Sequence, residues 1–167
     1  LLGEPAWEGA PLSGDRSIAL LACLHLAGAE GVGVDRLVTA LWPEDVPAHA
    51  EKALHVVVSR TRKATAPDAV QRLATGYRLG PCDVDALVVE REAERAASAL
   101  RAGDVRVAAE HARLALEVGI RGDTESGPLA QVRERAREQQ RRARRTQALA
   151  LARGGSLSQQ LVGTQAL

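Results

Sequence analysis

The chain contains no phenylalanine and no methionine, and its aromatic residues are Trp7, Trp42 and Tyr77 alone. A core made without large aromatic side chains must be built from leucine, valine and alanine. That mixture suits helices whose backbones come close together. With 167 residues, 46% of them apolar, there is material for one ordinary domain or two small ones. No apolar run reaches the ~18 residues that a membrane span needs. No signal peptide is visible, and a chain beginning Leu1-Leu2 reads as a fragment. Cys23 and Cys82 lie far apart, and neither sits in a CxxC pair. A reducing, cytoplasmic setting is therefore the expectation.

The net charge of +1 conceals four blocks. Residues 1–47 carry net −5, residues 48–78 net +4, residues 79–130 net −4 and residues 131–167 net +6. Alternating acidic and basic blocks suggest a nucleic-acid partner without saying which basic block meets it.

Local patterning divides the chain near Gly80-Pro81. Leu1 to Leu12 alternates weakly, as short strands would. Ser13 or Asp15 is placed to cap a helix from Ile18 to Leu26, apolar nearly all round and so buried on most sides. After the turn GAEGVG, Asp35 starts a short helix with Leu37, Val38 and Leu41 on one face, stopped by Pro43. A loop PEDVPA leads to a helix from about Ala48 to Ala64. Residues 70–79 then read as a hairpin in which Gly76 supplies the turn flexibility. Beyond Pro81 everything looks helical. Asp83 or Asp85 caps a helix to about Ala102, Gly103-Asp104 turns into another ending near Val118, and a third runs from Pro128 to Arg153. Paired helices of this kind resemble a helical-repeat unit.

The stretch 51–65, EKALHVVVSRTRKAT, carries Lys52, Arg60, Arg62 and Lys63. On a helix, Leu54, Val58, Thr61 and Thr65 form one buried stripe. Lys52, His55, Ser59, Arg62 and Lys63 lie on the other side, with Arg60 on the flank and the small Val56 and Ser59 along the middle. A solvated amphipathic face and a β-strand at LHVVV are the bland alternatives. Order weighs against both. Three short helices, the third basic, followed by a hairpin with Arg72 and Arg78, make a winged helix-turn-helix. In such a module the third helix enters the major groove and the wing meets neighbouring phosphate. The predicted fold class is mainly α: a winged helix (α+β) over 1–80 and an all-α TPR-like domain over 81–167.

The wording RSIALLACLHLAGAEGVGVDRLVTALWPEDVPAHAEKALHVVVSRTRKA, followed by TGYRLG, resembles the OmpR-type winged helix. It is closer still to the antibiotic regulatory protein (SARP) branch, with its LWP, VSRTRK and GYRL elements. DVDALVVEREAERAASALRAGDVRVAAEHARLALE is similar to the start of the bacterial transcriptional activation domain (BTAD) of that family. The likeness covers about residues 1–118. It implies an activator that binds promoter repeats in double-stranded DNA and contacts RNA polymerase, with no cofactor. Carried onto this sequence, Lys52 and Arg60 meet bases, with His55 and Ser59 as weaker readers. Arg62, Lys63, Arg72 and Arg78 hold the DNA backbone. The loop of Pro43, Glu44, Asp45, Val46 and Pro47 stands where such proteins meet polymerase. The helical domain, truncated or divergent, is the natural seat of a homodimer contact. Thr61 and Thr65 replace the leucines usual in the family, and Leu73-Ala74 replaces the Arg-Gly wing tip.

Two rival readings remain. VRERAREQQRRARRTQALALAR, residues 132–153, holds eight arginines and could bind nucleic acid as a basic helix. The winged helix could also be a degenerate scaffold that no longer touches DNA. An enzyme is not expected. There is no GxGxxG, GxxxxGK[ST] or GxSxG. His49 and His55 lack ligand partners at metal spacing, and His25 sits in an apolar helix. Trp42, before Pro43, reads as a packing plug between domains.

Overall fold

The computed structural model describes residues 1–122 and 126–164, from residue 155 onward as backbone only. Its contacts form two compact units, Leu1–Val84 with Arg121–Glu134, and Asp85–Ile120 with Arg135–Leu167.

The first unit opens with a short antiparallel hairpin, β1 (Ala6–Trp7) and β2 (Ala10–Pro11). Helix α1 (Asp15–Ala27) follows, buried at Leu20, Leu21, Ala22, Cys23, Leu24 and His25, as its all-round apolarity predicts. Its cap differs from the expectation: Gly14 occupies the N-cap position, and no side chain caps the helix. The segment GAEGVG is more than a turn. After one 3₁₀ turn, Val32–Gly33 forms strand β3, too short to show a period in the sequence. Helices α2 (Val34–Leu41) and α3 (Ala50–Ala64) come next. Then β4 (Val70–Arg72) and β5 (Gly76–Leu79) complete an antiparallel sheet in the order β3-β5-β4. Three helices with a three-stranded sheet in this order make a winged helix-turn-helix.

Its core joins Leu20, Leu24, Leu37, Leu54, Val58, Val70 and Tyr77. Trp42 belongs to this same cluster at 7% exposure, so it packs inside the winged helix rather than acting as a plug between domains. The reason is local: α2 ends at Leu41, and the next side chain turns back onto α1 and α3. Gly76 also has a role other than the predicted one. It lies within β5 opposite Gly33, where a Cβ would overlap the Val32 carbonyl. It is glycine because β3 comes so close, not because the chain turns there.

In the second unit, α4 (Asp85–Arg101) and α5 (Val105–Glu117) pack antiparallel through Ala93, Ala96, Ala112 and Ala115, joined by Ala143 of α6 (Pro128–Thr164). Alanine at every crossing lets the backbones approach closely. Gly103, at φ 84°, makes the turn between α4 and α5, and Asp104 Oδ1 accepts from the Val107 amide at 3.2 Å to cap α5. Helix α6 continues through Gly154 and Gly155 to Thr164, past the expected end at Arg153. Glycine weakens a helix by about 1 kcal/mol relative to alanine without forbidding it, and no proline follows to break it.

One buried carboxylate anchors this unit. Glu92, 4% exposed, accepts from Arg91 at 3.1 Å and Arg95 at 3.3 Å, and its Oε2 lies 2.7 Å from His111 Nδ1. Burial raises its pKa. Hydrogen bonds from Arg91 and His111 and the charge of Arg95 outweigh that and hold it below the ordinary value. A depressed carboxylate pKa stabilises the fold above the unfolded value and loses that contribution as pH falls through the folded one. Glu92→Gln is expected to lose about 1–2 kcal/mol in urea unfolding at neutral pH, since the arginine partners are half exposed. The difference from the parent should shrink as pH falls below the ordinary glutamate range and through the lowered value of Glu92, where the parent carboxylate protonates.

Candidate nucleic-acid interface

Burial divides α3 cleanly. Leu54, Val57, Val58 and Thr61 face the core, while Lys52, His55, Val56, Ser59, Arg60 and Lys63 are exposed. The two threonines in place of leucine satisfy themselves along the helix. Thr61 Oγ1 donates to the Val57 carbonyl at 2.9 Å, and Thr65 Oγ1 to the Thr61 carbonyl at 2.7 Å. Bonds to the i−4 carbonyl let a hydroxyl enter the core without an unmet donor.

The wing is fastened to this helix by arginine. Arg62 Nε and Nη2 both donate to the Val70 carbonyl of β4, at 2.9 and 2.6 Å. Arg62, expected to hold DNA backbone, is thus half-buried and ties α3 to the wing. Arg62→Met is expected to cost about 1.5 kcal/mol in thermal or urea unfolding, because a charged donor is lost and the Val70 carbonyl is left short of it. Arg72 stacks on Tyr77, 4.9 Å from the ring centroid, and its Nη1 donates to the Tyr77 hydroxyl at 2.6 Å. The same nitrogen lies 3.1 Å from His55 Nε2. Helix and wing therefore meet in an open cleft of about 740 Å³, lined by His55, Ser59, Arg62, Lys63 and Arg72 above Tyr77. On the far side of the hairpin, Arg78 Nε donates to Gln71 Oε1 at 2.9 Å and remains exposed.

Lys52 and Arg60 lie outside this cleft. Lys52 stands near the start of α3 on its exposed face. Arg60 points to the opposite flank, into a second cleft of about 830 Å³ shared with Arg16 and Trp42. Arg16 escaped the sequence reading because it belongs to α1, and only the fold brings it beside α3. The loop of Pro43, Glu44, Asp45 and Val46 is exposed, with Val46 at 53%.

Other candidate chemistry is weak. Burial pushes the Cys23 thiol up to about 11, far from a reactive thiolate. Burial, with Asp83 and Asp68 nearby, also raises Cys82. Among the described residues no three His, Cys, Asp or Glu side chains are grouped to hold a metal, and no helix is long and apolar enough to cross a membrane.

The arginine-rich segment of α6 is largely engaged. Arg133, 5% exposed, donates to the Gly3 carbonyl at 2.9 Å, and Arg135 pairs with Glu90 at 2.9 Å. Arg141 and Arg142 both pair with Glu138, and Arg153 reaches the Leu100 carbonyl at 3.5 Å. Arg144 and Arg145 stay exposed.

No family model matches the chain. The transcriptional regulatory protein EmbR of Mycobacterium tuberculosis is 36% identical over 124 residues, which is 68% of this chain and 30% of that protein. The transcriptional regulatory protein MoaR1 of the same organism is 31% identical over 100 residues, 53% of this chain and 32% of that one. The chain thus spans about a third of the length of these curated relatives. A solved structure of Mycobacterium tuberculosis EmbR in complex with a low-affinity phosphopeptide superposes with a TM-score of 0.77 at 27% identity, over 99% of this chain and 48% of that one. The resemblance carried by LWP, VSRTRK and GYRL extends to the three-dimensional fold, and the chain is a relative of the SARP-type transcriptional regulators.

Proposed function

We propose that the chain is a sequence-specific DNA-binding module of a transcription regulator, with α3 in the major groove and the β4–β5 hairpin as its wing. The observation that carries this reading is the outward face of α3. Lys52, Ser59 and Lys63 are exposed there, and no acidic side chain on the helix lies between them. A helix about 10–12 Å across fits a major groove of similar width. Lys52 near the N-terminal end reads base edges, with Ser59 as a weaker reader. Lys63 and the wing residues Arg72 and Arg78 hold phosphate. His55, against Arg72, belongs to the seam between helix and wing, and Arg62 positions that seam.

The exposed loop at Pro43–Pro47 is the proposed docking point for RNA polymerase, with activation as the outcome. The helical unit is BTAD-like and TPR-like. Its proposed use is pairing two copies on promoter repeats, since one winged helix covers modest DNA surface.

Nucleic-acid binding through α6 is disfavoured by the partners that Arg133, Arg135, Arg141, Arg142 and Arg153 already have. The test is a selection from a random duplex library followed by titration of the selected site. The wild type and an Arg144→Gln/Arg145→Gln variant should choose the same site with similar affinity. Loss of that site in the α6 variant would favour the rival helix. Failure of the wild type to bind any duplex would leave the scaffold reading in its place.

A further inference from the structure

A helix lying in a major groove has a sugar–phosphate strand on each side of it. The wing side of α3 is served by His55, Lys63 and Arg72. On the opposite flank, α3 presents Ala53, Val56, Arg60 and Ala64, so Arg60 is the cation that the helix itself offers there. Helix α1 adds a second. Arg16 lies in the same cleft as Arg60, its guanidinium 5.4 Å from the centroid of the Trp42 ring. Trp42 is 7% exposed and fixed in the core, so the ring is a rigid support for a mobile side chain. Stacking on a ring face satisfies no N–H donor. All five guanidinium donors remain available for an anion. Asp15 lines the cleft as well, yet among the described residues neither arginine forms an ion pair.

We infer that Arg16, held on Trp42, and Arg60 together seat a DNA phosphate on the strand opposite the one the wing meets. This rests on the reading of α3 as a major-groove helix. It adds a residue outside the recognition helix and wing, and it assigns Arg60 to the backbone rather than to base edges. The module then grips both strands, with α3 between two phosphate contacts. Arg16 and Arg60 would add affinity without choosing sequence.

The test uses the full chain and its selected duplex, with single methylphosphonate substitutions scanned along each strand to neutralise one phosphate at a time. Wild type should lose affinity at positions on both strands. In Arg16→Gln and in Arg60→Gln, the sensitive position opposite the wing should fall silent while the wing-strand positions persist. Each variant should bind about tenfold more weakly with the preferred sequence unchanged, and its log–log salt slope should be shallower by about 0.9. Arg16→Lys should keep part of the affinity as a point charge. Wild-type sensitivity on the wing strand alone would overturn this inference while leaving the major-groove reading standing. Absence of sensitive phosphates on either strand would overturn both. Because the methylphosphonate scan is read on the wild type, it can overturn the inference even where a variant folds poorly.

Discussion

Gly76→Ala should destabilise the winged helix by about 3 kcal/mol or more, lowering its melting temperature by roughly 15 °C. The Cβ would overlap the Val32 carbonyl and crowd the Gly33 Cα, both backbone atoms that cannot swing aside as a side chain would. Relief requires β3 to move off β5, which breaks the register Val32↔Tyr77 and Gly33↔Gly76. Tyr77, 3% exposed, would lose part of its core packing, and with it the support under Arg72. Gly33→Ala is the matched control. Its Cβ would meet only the Thr75 carbonyl, at an ordinary 3.7 Å, so it should change stability by less than about 0.5 kcal/mol. Thermal unfolding followed by circular dichroism separates the two. A Gly76→Ala protein as stable as Gly33→Ala would mean that β3 does not pack as described.

Lys52→Ala should change which duplex the protein prefers, while Lys63→Ala should weaken every duplex alike. Lys52 stands in the first turn of α3, the part of a recognition helix that goes deepest among base edges. A lost base contact is worth about 1–3 kcal/mol of discrimination, so affinity for the preferred site should drop about 10- to 100-fold and the selected sequence should relax at one position. Lys63 stands in the last turn beside the wing cleft, where a cation meets phosphate. Its loss should leave the selected sequence intact and make the log–log salt slope shallower by about 0.9. The same preferred site for Lys52→Ala and wild type would remove Lys52 from base reading.

The helices and the wing hairpin were legible, and the two-residue strand β3 was not. Helix α3 announced itself because Leu54, Val58 and Thr61 repeat at helical spacing over a stretch long enough to average out noise. Its start moved from Ala48 to Ala50 because the turn after Pro47 is not marked by a capping side chain. The hairpin was found from GYRL. Strand β3, two residues between glycines, has no period to read, and without it the glycine at 76 looked like a turn residue rather than a point of close approach. The outward cations of α3 were identified from the helical wheel. Their uses were not. A wheel gives direction and no partner, so Arg62 looked the equal of Lys63 until the Val70 carbonyl appeared beneath it. Arg16 had no signal at all, because the residues that give it meaning, Trp42 and Arg60, are distant along the chain.

If a cationic α3 and its wing lie against DNA phosphates, binding must weaken steeply as salt rises. Titration of the selected duplex between about 50 and 200 mM salt reads this without any substitution in the protein. With Lys63, Arg72, Arg78, Arg16 and Arg60 against phosphate, log affinity should fall against log salt with a slope of about −4.5, a loss of about five-hundredfold over that range. The slope should flatten toward about −3.6 in a variant lacking Lys63. A slope near zero, or one unchanged by removing Lys52 and Lys63 together, would mean that α3 does not meet DNA in this way.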